Sequence, residues 1–343
     1  MDQKKTYHLP FSILIIILVI GMFINISLGS VYIPFKSVFL SLIGGEVEKE
    51  SWVYIIRNYR VPKAITAIMV GGGLSLSGLL MQTLFRNPLA GPFVLGISSG
   101  ASLGVAFLLL GSAFIGGWLT TNIVSNASIA IAASFGSFLV LVAVMIVASR
   151  IRDTMAILII GLMFGSITAA VVSVLSYFSH MKQLQQYVFW SFGSLGNLSW
   201  NELFLFGVIF MIGGFLSILS LKALNALLLG ENYAKSLGLN IKQSRYLIII
   251  ATSLLAGSAT AFAGPIAFIG LAVPHLTKQI FNTTNHKTLI PAVILYGAIL
   301  MLLCDSIAQL PGSQFTLPIN AITSLVGAPV VVWLLVKKQK MVF

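Results

Sequence analysis

The stretch Leu227-Leu228-Leu229-Gly230-Glu231-Asn232-Tyr233-Ala234-Lys235-Ser236-Leu237-Gly238-Leu239-Asn240 decides how the rest of the chain is read. It is the heart of a longer polar interruption, residues 222–245, with apolar runs of membrane length on both sides. Ala234, Leu237 and Leu239 recur at roughly helical spacing among Lys235, Ser236 and Asn240. A simple tether would be richer in Gly, Ser and Pro. The pattern predicts one or two short helical turns lying at a membrane surface and stopped by Gly238. Two uses fit such an element. It is either a surface-lying loop helix with no partner, or a docking element that receives force from a soluble protein.

Composition places the whole chain in a bilayer. Of 343 residues, 58% are hydrophobic and 8% are charged, against about 25% charged in a soluble domain. A membrane span needs ~20 apolar residues. The expected helices are 9–29, 62–84, 92–110, 123–148, 154–178, 200–221, 244–263, 265–281, 289–308 and 318–336. The expected fold is therefore all-α and polytopic, one transmembrane domain over residues 1–343 with about ten spans. Four of the expected helices begin at or next to Pro62, Pro92, Pro265 and Pro318, since proline is tolerated in a first helical turn. Lys4 and Lys5 before the first apolar run resemble the start of a signal peptide. The length of that run and the spans that follow favour an uncleaved first helix.

The net charge of +12 does not mark a nucleic-acid surface, because the basic residues sit at the ends of apolar runs. With the N-terminus in the cytoplasm, fourteen of the 20 Lys and Arg residues fall on the inner side. That bias puts both termini and the 222–245 loop in the cytoplasm of a plasma-membrane protein. Cys304 is the one cysteine and lies in an apolar run, so no disulfide framework exists.

Small residues recur four apart in two spans: Ala67, Gly71 and Ser75 in one, Ser253, Gly257 and Ala261 in the other. Such stripes allow close helix packing in lipid. Each of these spans precedes a short link and a proline-containing segment, Asn87–Pro92 and Gly264–Pro274, so the two are candidate counterparts in an inverted internal repeat.

Chemistry-bearing residues are few. No GxxxxGK[ST] phosphate loop occurs, so the chain carries no recognisable ATP site. His8, His180, His275 and His286 share no metal-ligand spacing, and His180 and His286 are read as loop residues. His275, next to Pro274, is expected to satisfy backbone groups freed by the proline. Asp305 is the acid within a late span; a place near the interface or a hydrogen bond to a neighbouring helix accounts for it. Arg57, Arg60 and Lys63 cluster at the mouth of a helix, either as snorkelling cations or as a receptor for an acidic protein surface. No catalytic constellation is present, so no enzyme activity is expected of this chain.

Several motifs, in order, are similar to those of the FecCD family of permeases. They include Arg60-Val61-Pro62-Lys63, Arg86-Asn87-Pro88-Leu89-Ala90, Leu95-Gly96-Ile97-Ser98-Ser99-Gly100-Ala101, Leu229-Gly230-Glu231 with Ser236-Leu237-Gly238, Ala263-Gly264-Pro265-Ile266, Val273-Pro274-His275 and Leu325-Val326-Gly327-Ala328-Pro329. These are membrane subunits of type II ABC importers for iron–siderophores, haem and vitamin B12. The resemblance implies a dimeric permease of ten spans per subunit, as homodimer or heterodimer. It also implies two ATPase subunits carrying ATP and Mg, and an extracytoplasmic substrate-binding protein. By resemblance, Leu229, Gly230, Glu231, Ala234, Lys235, Ser236, Leu237 and Gly238 couple to the ATPase. Asn87, Leu89, Thr154 and Met155 match cytoplasmic gate positions, and Arg60 and Lys63, with Arg57 as an extra cation, match the binding-protein dock. Gly91 and Gln309 depart from the family pattern, which has an acid and a base there; Met155 is bulkier than the small residue of some members. The alternative is an ion-coupled secondary transporter, which would have Asp305 as its one candidate carrier.

Overall fold

The computed structural model describes residues 7–111, 125–149, 154–310, 313 and 315–336. Its helices are α1 (His8–Ser27), α2 (Phe35–Ile43), α3 (Glu50–Ile55), α4 (Val61–Leu84), α5 (Ile97–Leu109), α6 (Asn126–Ser149), α7 (Thr154–Phe178), α8 (Met181–Ser191), α9 (Trp200–Leu219), α10 (Leu221–Leu228), α11 (Glu231–Ser236), α12 (Ile241–Ala263), α13 (Ile269–Phe281), α14 (His286–Ala308) and α15 (Ile319–Val336). No strand occurs among the described residues. Among the described residues, seven stretches are long and apolar enough to cross a membrane, and α5 and Ile319–Trp333 are shorter apolar helices. The expected span 265–281 appears as α13, which is only 13 residues long.

Helix α4 is the axis of the bundle. Almost all of it is buried, and α14, α12, α13 and α9 pack around it. The small residues expected to allow close approach do so on one side. A Cβ on Gly71 would lie 2.3 Å from the Gly297 carbonyl oxygen, and one on Gly78 would lie 1.7 Å from that of Gly270. The second stripe behaves differently. A Cβ on Gly257 would meet Ile97 Cγ2 at 3.6 Å, an ordinary contact.

Proline placement needed correction. Pro62 does not start α4: α3 runs through a π-turn at Ile56–Arg60 into α4. The missing Pro62 N–H cannot bond the carbonyl of Asn58, and the wider turn absorbs the gap. Pro92 opens a 3₁₀ turn, Pro92–Leu95, and α5 begins only after Gly96 at φ +72°. Pro265 lies in a non-helical link, and α13 begins after Phe268 at φ +66°.

These last two junctions match. In each case a long helix, α4 or α12, is followed by a 13-residue helix entered through a left-handed residue. The start of α13 packs on α4 at Gly78, and the start of α5 packs on α12 at Gly257. The two long helices run in opposite directions, since α4 ends at the end of the bundle where α12 begins. This local pairing is the arrangement expected of inverted repeats.

One end of the bundle carries α10 and α11. There α4 ends, α12 and α14 begin, and Tyr7 stacks on Phe281 with centroids 5.8 Å apart. The other end carries the starts of α4, α9 and α15 and the end of α14. The far ends of α1 and α14 are tied there by Asn25 Nδ2, which donates to Asp305 Oδ2 at 2.8 Å.

Candidate functional site

The polar interruption folds as two short helices, as the spacing predicts. Helix α10 buries Ala223, Leu224 and Leu227 in the core. Gly230, at φ +104°, turns the chain into α11. Gly238 ends that helix at φ +81°, where the Gly238 N–H donates to Lys235 O and the Leu239 N–H to Ala234 O. That is the paired bonding of a glycine-terminated helix. The Asn240 side chain then accepts from Gln243 N and caps α12.

The eight expected coupling residues divide by burial. Ala234 is fully buried and anchors α11. Gly230 and Glu231 are half-buried, and Glu231 Oε1 pairs with Arg245 Nη2 of α12 at 3.2 Å. Leu229, Lys235, Ser236, Leu237 and Gly238 face outward. Leu229 is 63% exposed, Leu237 is 61% exposed, and Tyr233 between them is 53% exposed. Tyr233 lies within α11, and Leu229 and Leu237 flank it at either end. Tyr233 was missed in the sequence because it falls outside the Ala234–Leu237–Leu239 spacing.

Beside this loop lies the turn that follows α4. Arg86 adopts φ +47°, and its Nη1 comes within 3.6 Å of the position a Cβ on Gly230 would occupy. Asn87 Oδ1 accepts from Leu89 N at 2.9 Å, and Ala90 N donates to Asn87 O. His275 Nε2 bonds Pro88 O at 2.9 Å. Its expected role at the Pro274 kink is thus corrected: it holds the turn of another segment. Leu89 is 44% exposed. The side chains of Thr154 and Met155, the other two expected gate residues, lie outside the described residues.

His286, read as a loop residue, is the first residue of α14 and is 1% exposed. Its Nδ1 meets Asn225 Oδ1 of α10 at 2.9 Å and its Nε2 meets Thr83 Oγ1 of α4 at 2.8 Å.

At the opposite end, the three expected docking cations are engaged within the chain. Arg57 donates from Nε and Nη2 to Ser41 O at 3.2 and 2.8 Å. Arg60 donates from Nη1 to Ile26 O and Ser27 O at 2.6 and 2.8 Å, and from Nη2 to Val31 O. Lys63 Nζ pairs with Asp305 Oδ1 at 3.1 Å. Arg57 is exposed, whereas Arg60 and Lys63 are half-buried. Asp305 also accepts from Asn25 and from Gln309 Nε2, each at 2.8 Å. The hydrogen bond to a neighbouring helix expected of this acid is therefore present. No cluster of three or more His, Cys, Asp or Glu suited to a metal occurs among the described residues.

Comparison with known proteins agrees with this geometry. The chain is 33% identical to the uncharacterized ABC transporter permease protein YvrB of Bacillus subtilis (strain 168), over 99% of this chain and 95% of that one. It is 33% identical to the vitamin B12 import system permease protein BtuC of Klebsiella pneumoniae, over 99% and 96%. A solved inward-facing structure of an ABC transporter, described as of the metal-chelate type, superposes with a TM-score of 0.82 at 29% identity, covering 94% of this chain and 97% of that one. PsaBC from Streptococcus pneumoniae shares the fold, with a TM-score of 0.54 at 18% identity, over 80% and 90%. The model of the FecCD transport family matches residues 17–337, and the chain belongs to that family.

Proposed function

We propose that the chain is the membrane-spanning permease of an ABC importer that moves an iron(III)–siderophore or a similar metal chelate, such as haem or cobalamin, into the cell. The observation that carries this reading is the exposure of three apolar side chains on one loop, Leu229, Tyr233 and Leu237, at the loop end of the bundle and next to the Arg86 turn. Apolar side chains raised on an otherwise polar loop fit a protein partner better than they fit water. The partner is an ATPase subunit, two per assembly, which binds ATP and Mg while this chain binds neither. Closure of the ATPase pair displaces α10 and α11. The adjoining Arg86–Ala90 turn, with Thr154 and Met155, then changes the opening of the path between this chain and a second permease subunit, identical or related. A conformational change of this kind requires only that ATP favours one of two states.

In this reading the loop and both termini face the cytoplasm, and the chain sits in the plasma membrane. A substrate-binding protein docks at the other end. Exposed Arg57 offers it a cation, while an acidic partner would have to compete with Asp305 for Lys63. The alternative, an ion-coupled secondary transporter, draws little from Asp305. Its carboxylate already faces Lys63, Asn25 and Gln309, which suits a fixed charge better than a carrier.

The test is purification of the chain from native membranes with its bound subunits, identified by mass spectrometry together with any metal. An ATPase subunit in the assembly, and ATP hydrolysis that requires it, are the expected results. Proton-driven uptake by vesicles that hold this chain alone would overturn the proposal.

A further inference from the structure

Three helices meet at one buried imidazole. Asn225 belongs to α10, Thr83 to the last turn of α4, and His286 opens α14. Asn225 Oδ1 accepts the backbone N–H of His286 at 3.0 Å, and Asn225 Nδ2 reaches Asn285 Oδ1 at 3.4 Å. Oδ1 is therefore the atom that faces His286 Nδ1, and it offers only lone pairs. Nδ1 must carry the proton. In the neutral ring Nε2 is then an acceptor and takes the single proton of the Thr83 hydroxyl, for which Leu79 O at 2.9 Å is the competing acceptor. Thr83 stands three residues before Arg86.

We propose that His286 is a positioning residue that transmits displacement of α10 to the end of α4 and so to the Arg86–Ala90 turn. The proposal rests on the permease reading of that turn. The physical reason is directionality. Apolar contacts let α10 slide on α4, whereas two hydrogen bonds on opposite sides of one rigid ring fix both helices to the same plane. The buried Nε2 of His286 would be left without a partner if α4 moved alone, and such a loss is costly. The three residues therefore move together. Their separation in the sequence hides the connection, since Thr83 and His286 are 203 positions apart.

The experiment uses the assembly purified with its ATPase, in a Cys304→Ser background, with paired nitroxides. One pair, Glu46→Cys with Lys235→Cys, reports the loop. The other, Glu46→Cys with Leu89→Cys, reports the turn. Distances are measured without nucleotide and after trapping with ATP, Mg and orthovanadate. In the parent both distances are expected to shift. In His286→Leu and in Thr83→Val the loop shift persists while the turn shift falls roughly twofold or more. The double variant is no worse than either single one, because both remove the same link. His286→Gln restores the turn shift, since its carboxamide offers one donor and one acceptor at a similar separation. A full turn shift in both His286→Leu and Thr83→Val overturns the proposal and leaves the permease reading standing. No shift in the parent overturns both. Should His286→Leu fail to assemble, the milder Thr83→Val decides alone.

Discussion

Lys63 Nζ of α4 lies 3.1 Å from Asp305 Oδ1 of α14, and the two residues close the end of the bundle remote from the coupling loop. The Asp305 side chain is 4% exposed and the Lys63 side chain 22%. Asn25 brings α1 into the same cluster. The cluster thus ties α1, α4 and α14 together at this end of the bundle.

Removing one partner should expose the cost of a buried charge. Lys63→Met is expected to destabilise by about 2 kcal/mol, less than for a fully buried pair because Lys63 is partly exposed. The double variant Lys63→Met with Asp305→Leu should recover most of that loss, since neither charge is then stranded. Thermal unfolding in detergent checks both. A single variant that melts with the parent would show that the pair is not a structural tie.

Glycines should divide by what faces them. Gly78→Ala pushes a methyl group to 1.7 Å from the Gly270 carbonyl oxygen, so α4 and α13 must part, at a cost of at least ~1–3 kcal/mol. Gly257→Ala meets nothing nearer than 3.6 Å and should gain up to about 1 kcal/mol from helix propensity. Folded yield and melting temperature of the two variants decide. Equal behaviour would contradict the close approach.

The end of α11 depends on a left-handed residue. Gly238→Ala places a Cβ at φ +81° and should cost about 1–2 kcal/mol locally. Hydrogen exchange at the Leu239 amide, which bonds Ala234 O, should speed up while α12 stays protected. Glu231→Gln, which weakens the partly exposed pair with Arg245, should change stability by no more than about 1 kcal/mol. A larger loss would mean that this pair, and not the glycine, holds the loop.

The long spans were legible because lipid demands unbroken apolar runs. Helix α7 falls on the expected 154–178, and α9 ends two residues early at Leu219. In the loop, Gly238 was legible as the stop of a short helical turn, whereas α10 contains none of the residues whose spacing was read. Helices α2, α3 and α8 were not foreseen, because they are short and their apolar positions do not form a run of span length. Pro62 misled because a π-turn can carry a helix through a missing N–H. The site was harder still. That Arg60 is taken up by the carbonyls of Ile26, Ser27 and Val31 depends on a chain crossing that no local pattern records. Thr83, Asn225 and His286 show no shared motif, and only folding brings them together.

The coupling surface is tested most directly by the paired substitution Leu229→Asp with Leu237→Asp, chosen because both side chains are exposed and absent from the core. The measurement is the amount of ATPase subunit that co-purifies with the chain, together with its melting temperature. The account predicts that the ATPase is lost while the melting temperature stays with the parent. An assembly that retains its ATPase and takes up substrate normally with both aspartates in place would contradict it.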